Sequence, residues 1–220
     1  MPKAREKIIS RIVKMESRIS SCSRCQGIRI CSPKPSLGRG DVQASIMVVF
    51  PQENEFTRSR EKIAQMRETL ASLAGEDRKV YHTYMIRCQP RSCHRRKGKD
   101  TLFDGTLIDA SSNCILTNAQ CDGQVMEPDD QEAMNCLIFL LEEIEIIMPE
   151  VIITLGERVY QYLFRAFNIL DPYYSSFNDV RDRIYRSNAS FLIPTDIPLM
   201  NSDSMFSGLT ELFKVINHTK

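Results

Sequence analysis

The chain has no long apolar run and no excess of charge of either sign. A helix that crosses a membrane needs about 20 consecutive apolar residues, and the apolar stretches here are of strand length, so no membrane span is expected. The amino-terminal PKAREKIISRIVKMESRI carries charge throughout and reads as an amphipathic helix rather than a signal peptide, which points to a cytoplasmic protein. A formal net charge of +1 excludes a uniform positive field that would drive the whole surface onto polyanions. The charge is segregated instead. Arg87, Arg91, Arg95, Arg96, Lys97 and Lys99 form a local basic run, and Glu127, Asp129, Asp130, Glu132, Glu142, Glu143 and Glu145 follow further on.

What is present fits one sizeable core. In 220 residues, 42% of them hydrophobic, a single domain over 1–220 is the expected organisation. Ile8, Ile9, Ile12, Val13 and Ile19 share one side of the first helix. Ile46 to Phe50 is a continuous apolar run, as a parallel strand covered on both faces requires. VYHTYMIRCQP (Val80 to Pro90) opens with the β-branched and aromatic content of a sheet interior and runs into a basic loop. Val151 to Leu155 and Ser190 to Thr195 supply two further strands. Helical spacing recurs at Ile63, Met66, Leu70 and Leu73, from Met134 to Ile147, at Val159, Leu163 and Phe167, and from Leu209 to Ile216. This alternation predicts a three-layer αβα sandwich around a mainly parallel four-stranded sheet. Residues 91–128 have little periodicity and read as an insertion. Cys93, His94, Cys114 and Cys121 within it match no compact zinc module, so a long loop with spare thiols is the simpler reading, with substrate gripping its expected use. Residues 171–188 show no clear period and read as surface or a lid.

Eight cysteines in such a chain argue for reduced thiols or metal ligation. Cys22 and Cys25 form a Cys-x-x-Cys, Cys88 closes the VYHTYMIRC segment, and Cys136 lies beside the apolar face of a later helix. Four thiolates drawn from three elements suit an iron–sulfur cluster or a structural zinc. Around them stand Gly38-Arg39-Gly40-Asp41, leading into Ser45-Ile46-Met47-Val48-Val49, then EAMNCLIFLLEEIEIIMPEVIITLGERV (Glu132 to Val159) and FLIPTDIPLM (Phe191 to Met200). In this order the chain resembles the family-4 uracil-DNA glycosylases, over about Cys22 to Ile216. The resemblance implies a [4Fe–4S] cluster on Cys22, Cys25, Cys88 and Cys136, a flipped base of DNA as the partner, and a monomer.

Cutting an N-glycosidic bond needs a pocket that reads the base, a group that stabilises an oxocarbenium-like sugar or activates water, and a donor for the departing base. The family takes these from the loop after the first strand, an Asn in the second strand and a His-Pro in the last loop. This chain departs at all three. Its first loop is Phe50-Pro51-Gln52-Glu53-Asn54, the Asn position falls on Tyr84, counting back from Cys88, and the His position falls on Ile197, or on Ile193 in the other register. One consequence is a site rebuilt for a modified base, with plain uracil disfavoured because its amide reader is gone. Glu53 or Glu55 would then stabilise the cation and activate water. Gln52 or Asn54 would read polar edges, Tyr84 and Phe56 shape or stack the base, Ile197 line the pocket, and Asp196 serve as an alternative acid. Arg91, Arg95, Arg96, Lys97 and Lys99 would grip phosphates. Repair, or defence against phage carrying modified cytosines, would fit such an activity. The alternative is a glycosylase-fold protein that binds DNA or a partner without catalysis.

Overall fold

The computed structural model describes residues 2–25, 34–75, 78–89, 91–92, 107, 109, 113–115, 117–120, 124–169, 176–187, 189–196 and 209–218. In chain order its elements are α1 (Pro2–Ser20), β1 (Arg39–Gly40), β2 (Ile46–Phe50), α2 (Glu55–Arg58), α3 (Arg60–Ala74), β3 (Val80–Tyr84), β4 (Arg91–Ser92), β5 (Asn113–Cys114), β6 (Ala119–Gln120), β7 (Gln124–Val125), α4 (Asp130–Ile147), β8 (Val151–Leu155), α5 (Glu157–Ala166), α6 (Phe177–Val180), β9 (Tyr185–Arg186), β10 (Phe191–Thr195) and α7 (Leu209–His218).

Every residue of β2, β3 and β8 is buried, because helices cover both faces of the sheet; this is why β2 reads as a continuous apolar run and β8 nearly so, while β3 buries His82 and Thr83 among its aromatic and β-branched residues. The sheet order is β1-β3-β2-β8-β10-β9. The four central strands are parallel, with Ile46 opposite both Val80 and Val151, and Phe191 opposite Val151. They are the four strands expected from the sequence. The two-residue antiparallel edges β1 and β9 add to them, and such short edges blunt further pairing without leaving an apolar signature.

Alternate residues of each strand serve two cores. Met47, Val49, Tyr81 and Ile152 pack with Met15 and Ile19 of α1 and Leu140 and Ile144 of α4. On the other face Ile46, Val48, Val80 and Ile153 meet Ile63, Met66 and Leu70 of α3 and Leu209, Phe213 and Ile216 of α7. The result is the expected αβα sandwich. A reciprocal capping box of Asp129 and Glu132 starts α4, and Met148 in the left-handed conformation (φ 51°) ends it just before Pro149. The strand over Val80 stops at Tyr84 rather than at Cys88, but Met85 N still donates to Phe50 O (2.8 Å) and Ile86 N to Pro51 O (2.9 Å), so the two exits travel together. In the 91–128 region β4 pairs with β7 and β5 with β6, which brings the two ends of the expected insertion side by side.

One charge of the basic run and one of the acids further on are buried against each other. Arg87 is 1% exposed and Glu143 is fully buried, with Arg87 Nη2 donating to Glu143 Oε2 at 2.5 Å. Glu143 also accepts from Tyr81 Oη (2.7 Å) and from the Thr83 hydroxyl. Gly38 lies directly over this group: a Cβ there would come within 2.4 Å of both Glu143 Oε1 and Tyr81 Oη. Gly38→Ala is accordingly expected to lower stability by about 1–3 kcal/mol, as overpacking does. A urea midpoint equal to that of the wild type would show that the loop yields without disturbing the pair.

Candidate functional site

The parallel strands all end at one edge of the sheet, where Phe50 stands opposite Tyr84 and Thr195 opposite Leu155. From β2 the chain passes to β3 on one side, and later to β8 on the other. That reversal leaves a crevice at the carboxyl ends of β2 and β8, the position where open α/β sheets bind ligands. The 51–54 loop forms one lip. Gly156 turns the chain out of β8 on the other lip with φ 84°, a conformation that favours glycine, and its N–H donates to Thr195 O at 2.8 Å.

The residues expected at this mouth divide into three groups. Glu53 is held there: Arg58 Nε donates to Glu53 Oε2 at 3.1 Å, while the Gln89 side chain donates to the Glu53 carbonyl and accepts from Arg58. Tyr84 is also there, buried, its hydroxyl bonded to the Thr57 side chain and its pKa raised chiefly by burial. Gln52 is half-buried at the start of the loop, and its Oε1 has no hydrogen-bond partner among the described residues. Others are committed elsewhere. The Asn54 side chain accepts from Thr57 N (3.0 Å) as the cap of α2, Phe56 packs against Phe50 in the core (ring centroids 6.0 Å apart), and Glu55 is exposed in the first turn. Asp196 leaves β10 two strands from β2, about 10 Å away at sheet spacing, and pairs with Arg181. Ile197, Arg95, Arg96, Lys97 and Lys99 lie outside the described residues, as do Cys31, Cys93, His94, Cys121 and the side chain of Arg91.

From the mouth a groove of about 650 Å³ runs along β3, between α3 and the 34–39 segment. Glu53, Thr57, Tyr84 and His82 line it together with Lys34, Arg39, Arg58, Arg60 and Arg67. None of these five cations was singled out from the sequence. One signal was there to read: Arg60, Ile63, Ala64 and Arg67 recur at the spacing of a single helix face, so two cations share a stripe with apolar residues. Arg67 Nη2 lies 3.0 Å from His82 Nδ1. Arginine can only donate, so Nδ1 accepts and the ring is neutral.

On the opposite face of the sheet the four cysteines meet. Cys22 and Cys25 follow α1, Cys88 lies in the β3 exit and Cys136 projects from α4; all four line one small cavity with Ile86, Phe139, Glu132, Asn135 and Arg24. Arg87 N donates to Cys136 Sγ (3.3 Å) and Asn135 Nδ2 to Cys25 Sγ (3.6 Å). Burial raises the pKa of the Cys25 and Cys136 thiols. Among the described residues no three His, Cys, Asp or Glu side chains are close enough to share one metal ion.

An open parallel α/β sheet with its crevice at the strand ends and a polar groove beside it defines a ligand-binding class. Within that class, the family model described as the Uracil DNA glycosylase superfamily matches residues 51–205. The match covers more than half of the chain, and the chain belongs to that superfamily, whose members act on DNA. It begins at the first lip of the crevice, so Cys22 and Cys25 precede it. No curated protein matches the chain. Among the described residues no helix is long and apolar enough to cross a membrane.

His82 gives the site a pH signature. Burial, with Arg67 and Arg39 adding to it, lowers its pKa from 6.5 to about 4. The unfolded chain therefore takes up a proton near pH 6.5 that the folded protein refuses until about pH 4. The His82 contribution is complete above pH 6.5 and is lost at about 1.4 kcal/mol per pH unit as pH falls through that window. His82→Gln is expected to remove this part of the slope in urea unfolding measured from neutral pH to about pH 4.5. Parallel curves for the two proteins would contradict the assignment.

Proposed function

We propose that the chain is a DNA glycosylase that flips a modified base, rather than plain uracil, out of DNA and hydrolyses its N-glycosidic bond. The observation that supports it most is the mouth of the groove, where a positioned carboxylate, Glu53, stands beside a buried phenol, Tyr84, in place of the amide that would read uracil. Arg58 and Gln89 fix Glu53 from its side chain and its carbonyl, which is the preorganisation that stabilising an oxocarbenium-like sugar or orienting a water demands. Gln52, in the same 51–54 loop as Glu53, is the candidate reader of a donor on the base edge. Tyr84 shapes the pocket wall. The sequence has Ile197, or Ile193 in the other register, where the family carries its leaving-group histidine. That replacement favours a modified base over uracil.

The cysteine cavity is the proposed site of a [4Fe–4S] cluster. Four thiols, an apolar wall of Ile86 and Phe139, and two N–H···S bonds fit the donor set and the surroundings that such clusters take. When bound, the cluster ties the end of α1, the β3 exit and α4 together, a structural role. The proposed setting is cytoplasmic, with a monomeric protein acting in repair or in defence against phage DNA with modified cytosines. A second reading, a DNA- or partner-binding protein without catalysis, draws support from the side chains already occupied: Glu53 by Arg58, and Asn54 as a helix cap.

The two readings separate on a panel of oligonucleotides carrying uracil, modified cytosines and damaged bases, followed by cleavage at abasic sites. Negligible release of uracil and measurable release of a modified base are expected, and Glu53→Gln should lose the release while keeping DNA affinity, since a group acting on the transition state governs turnover more than binding. Release of no base by the wild type would leave the non-catalytic reading in its place.

A further inference from the structure

The floor of the groove is more cationic than a base pocket requires. Of its cations, Arg39 pairs with Glu16 at 3.0 Å and Arg58 with Glu53 at 3.1 Å. Arg67 has no such partner: its one side-chain contact is the neutral His82, its Nε is buried without a hydrogen bond, and no carboxylate lies close to it among the described residues. Burial lowers its pKa, which is the mark of a cation that has lost water without gaining a counter-charge. Arg60, two turns earlier on the same face of α3, and Lys34 on the facing segment line the groove toward the mouth. A partly desolvated, uncompensated guanidinium is costly unless an anion completes it.

We propose that Arg67 and Arg60 form a phosphate-binding subsite on the floor of this groove, for the phosphate of a nucleotide lying along β3. A guanidinium fork matches the oxygens of a phosphate better than a point charge does, and Arg67 lines the groove with no carboxylate beside it among the described residues. His82, two residues before Tyr84, sets the floor about 7 Å in from the mouth, and the groove volume of about 650 Å³ is in the range of sites that take molecules of nucleotide size. The subsite goes beyond the excision reading, because it needs neither Glu53 nor any cleavage, and binding alone tests it.

Inorganic phosphate and a short thymidine oligonucleotide are titrated separately and in competition into the full chain by calorimetry at neutral pH. Saturable binding is expected, weakened about tenfold or more by Arg67→Met, less by Arg67→Lys, and unchanged by Arg165→Met on the exposed side of α5. Arg60→Gln, at the rim, gives the same reading should Arg67→Met fail to fold. Mutual displacement of phosphate and oligonucleotide assigns the subsite to a strand's backbone; phosphate binding without oligonucleotide binding assigns it to a small phosphate ester. Both results sustain the subsite. Absence of saturable binding, or wild-type affinity in both Arg67→Met and Arg60→Gln, overturns it.

Discussion

The ion pair between Arg87 and Glu143 is the constraint on which the two sites depend. Burying two charges costs several kcal/mol each, and only good geometry with all lone pairs engaged offsets it. Glu143 accepts from three donors, of Arg87, Tyr81 and Thr83, whereas Arg87 Nε and Nη1 are buried without a hydrogen-bond partner among the described residues. Such a pair adds little net stability over apolar residues, but breaking it by removing one partner costs about 3–5 kcal/mol. It thereby fixes where the β3 exit sits against α4. The same Arg87 donates its backbone N–H to Cys136 Sγ and accepts from Ser36 N at 2.7 Å, so one residue anchors both the cysteine cavity and the segment that walls the groove.

The strand β3 separates the two sites and belongs to both. Tyr81 and Thr83 point toward α4 and the buried carboxylate, whereas His82 and Tyr84 face α3 and the groove. Strand periodicity alone produces this division. A displacement of β3 by one residue would exchange the two sets, placing a histidine against Glu143 and a threonine in the groove wall. The parallel ladder to β2, from Ile46 opposite Val80 to Phe50 opposite Tyr84, and the ion pair both hold the register.

Most of the fold was legible in the sequence because strands buried on both faces are predominantly apolar along their whole length, as Ile46 to Phe50 and Val151 to Leu155 illustrate. The edge strands β1 and β9 were not, since two residues carry no periodicity. Charge misled where burial overrode it. Glu143 shares a helix face with Cys136, Leu140 and Ile147, yet in sequence it sits among acids that are on the surface. The cysteines were readable because four thiols in a Cys-x-x-Cys and two later elements have few other uses. Their convergence in one cavity is consistent with that pattern. The groove was hidden for a different reason: Lys34 and Arg39 come from one segment and Arg60 and Arg67 from another, and only the fold brings the two pairs together beside Tyr84. Phe56, expected against the base, follows the ordinary preference of a helix-borne phenylalanine for the core.

A metal cluster in the cysteine cavity is proposed to join the α1 end, the β3 exit and α4, and metal content tests it most directly. Protein purified without oxygen is assayed for iron, acid-labile sulfide and zinc. About four irons and four sulfides per chain are expected, as the cluster formula requires, with Cys136→Ala lowering both. Zinc in place of iron, or iron content unaffected by Cys136→Ala, would contradict it.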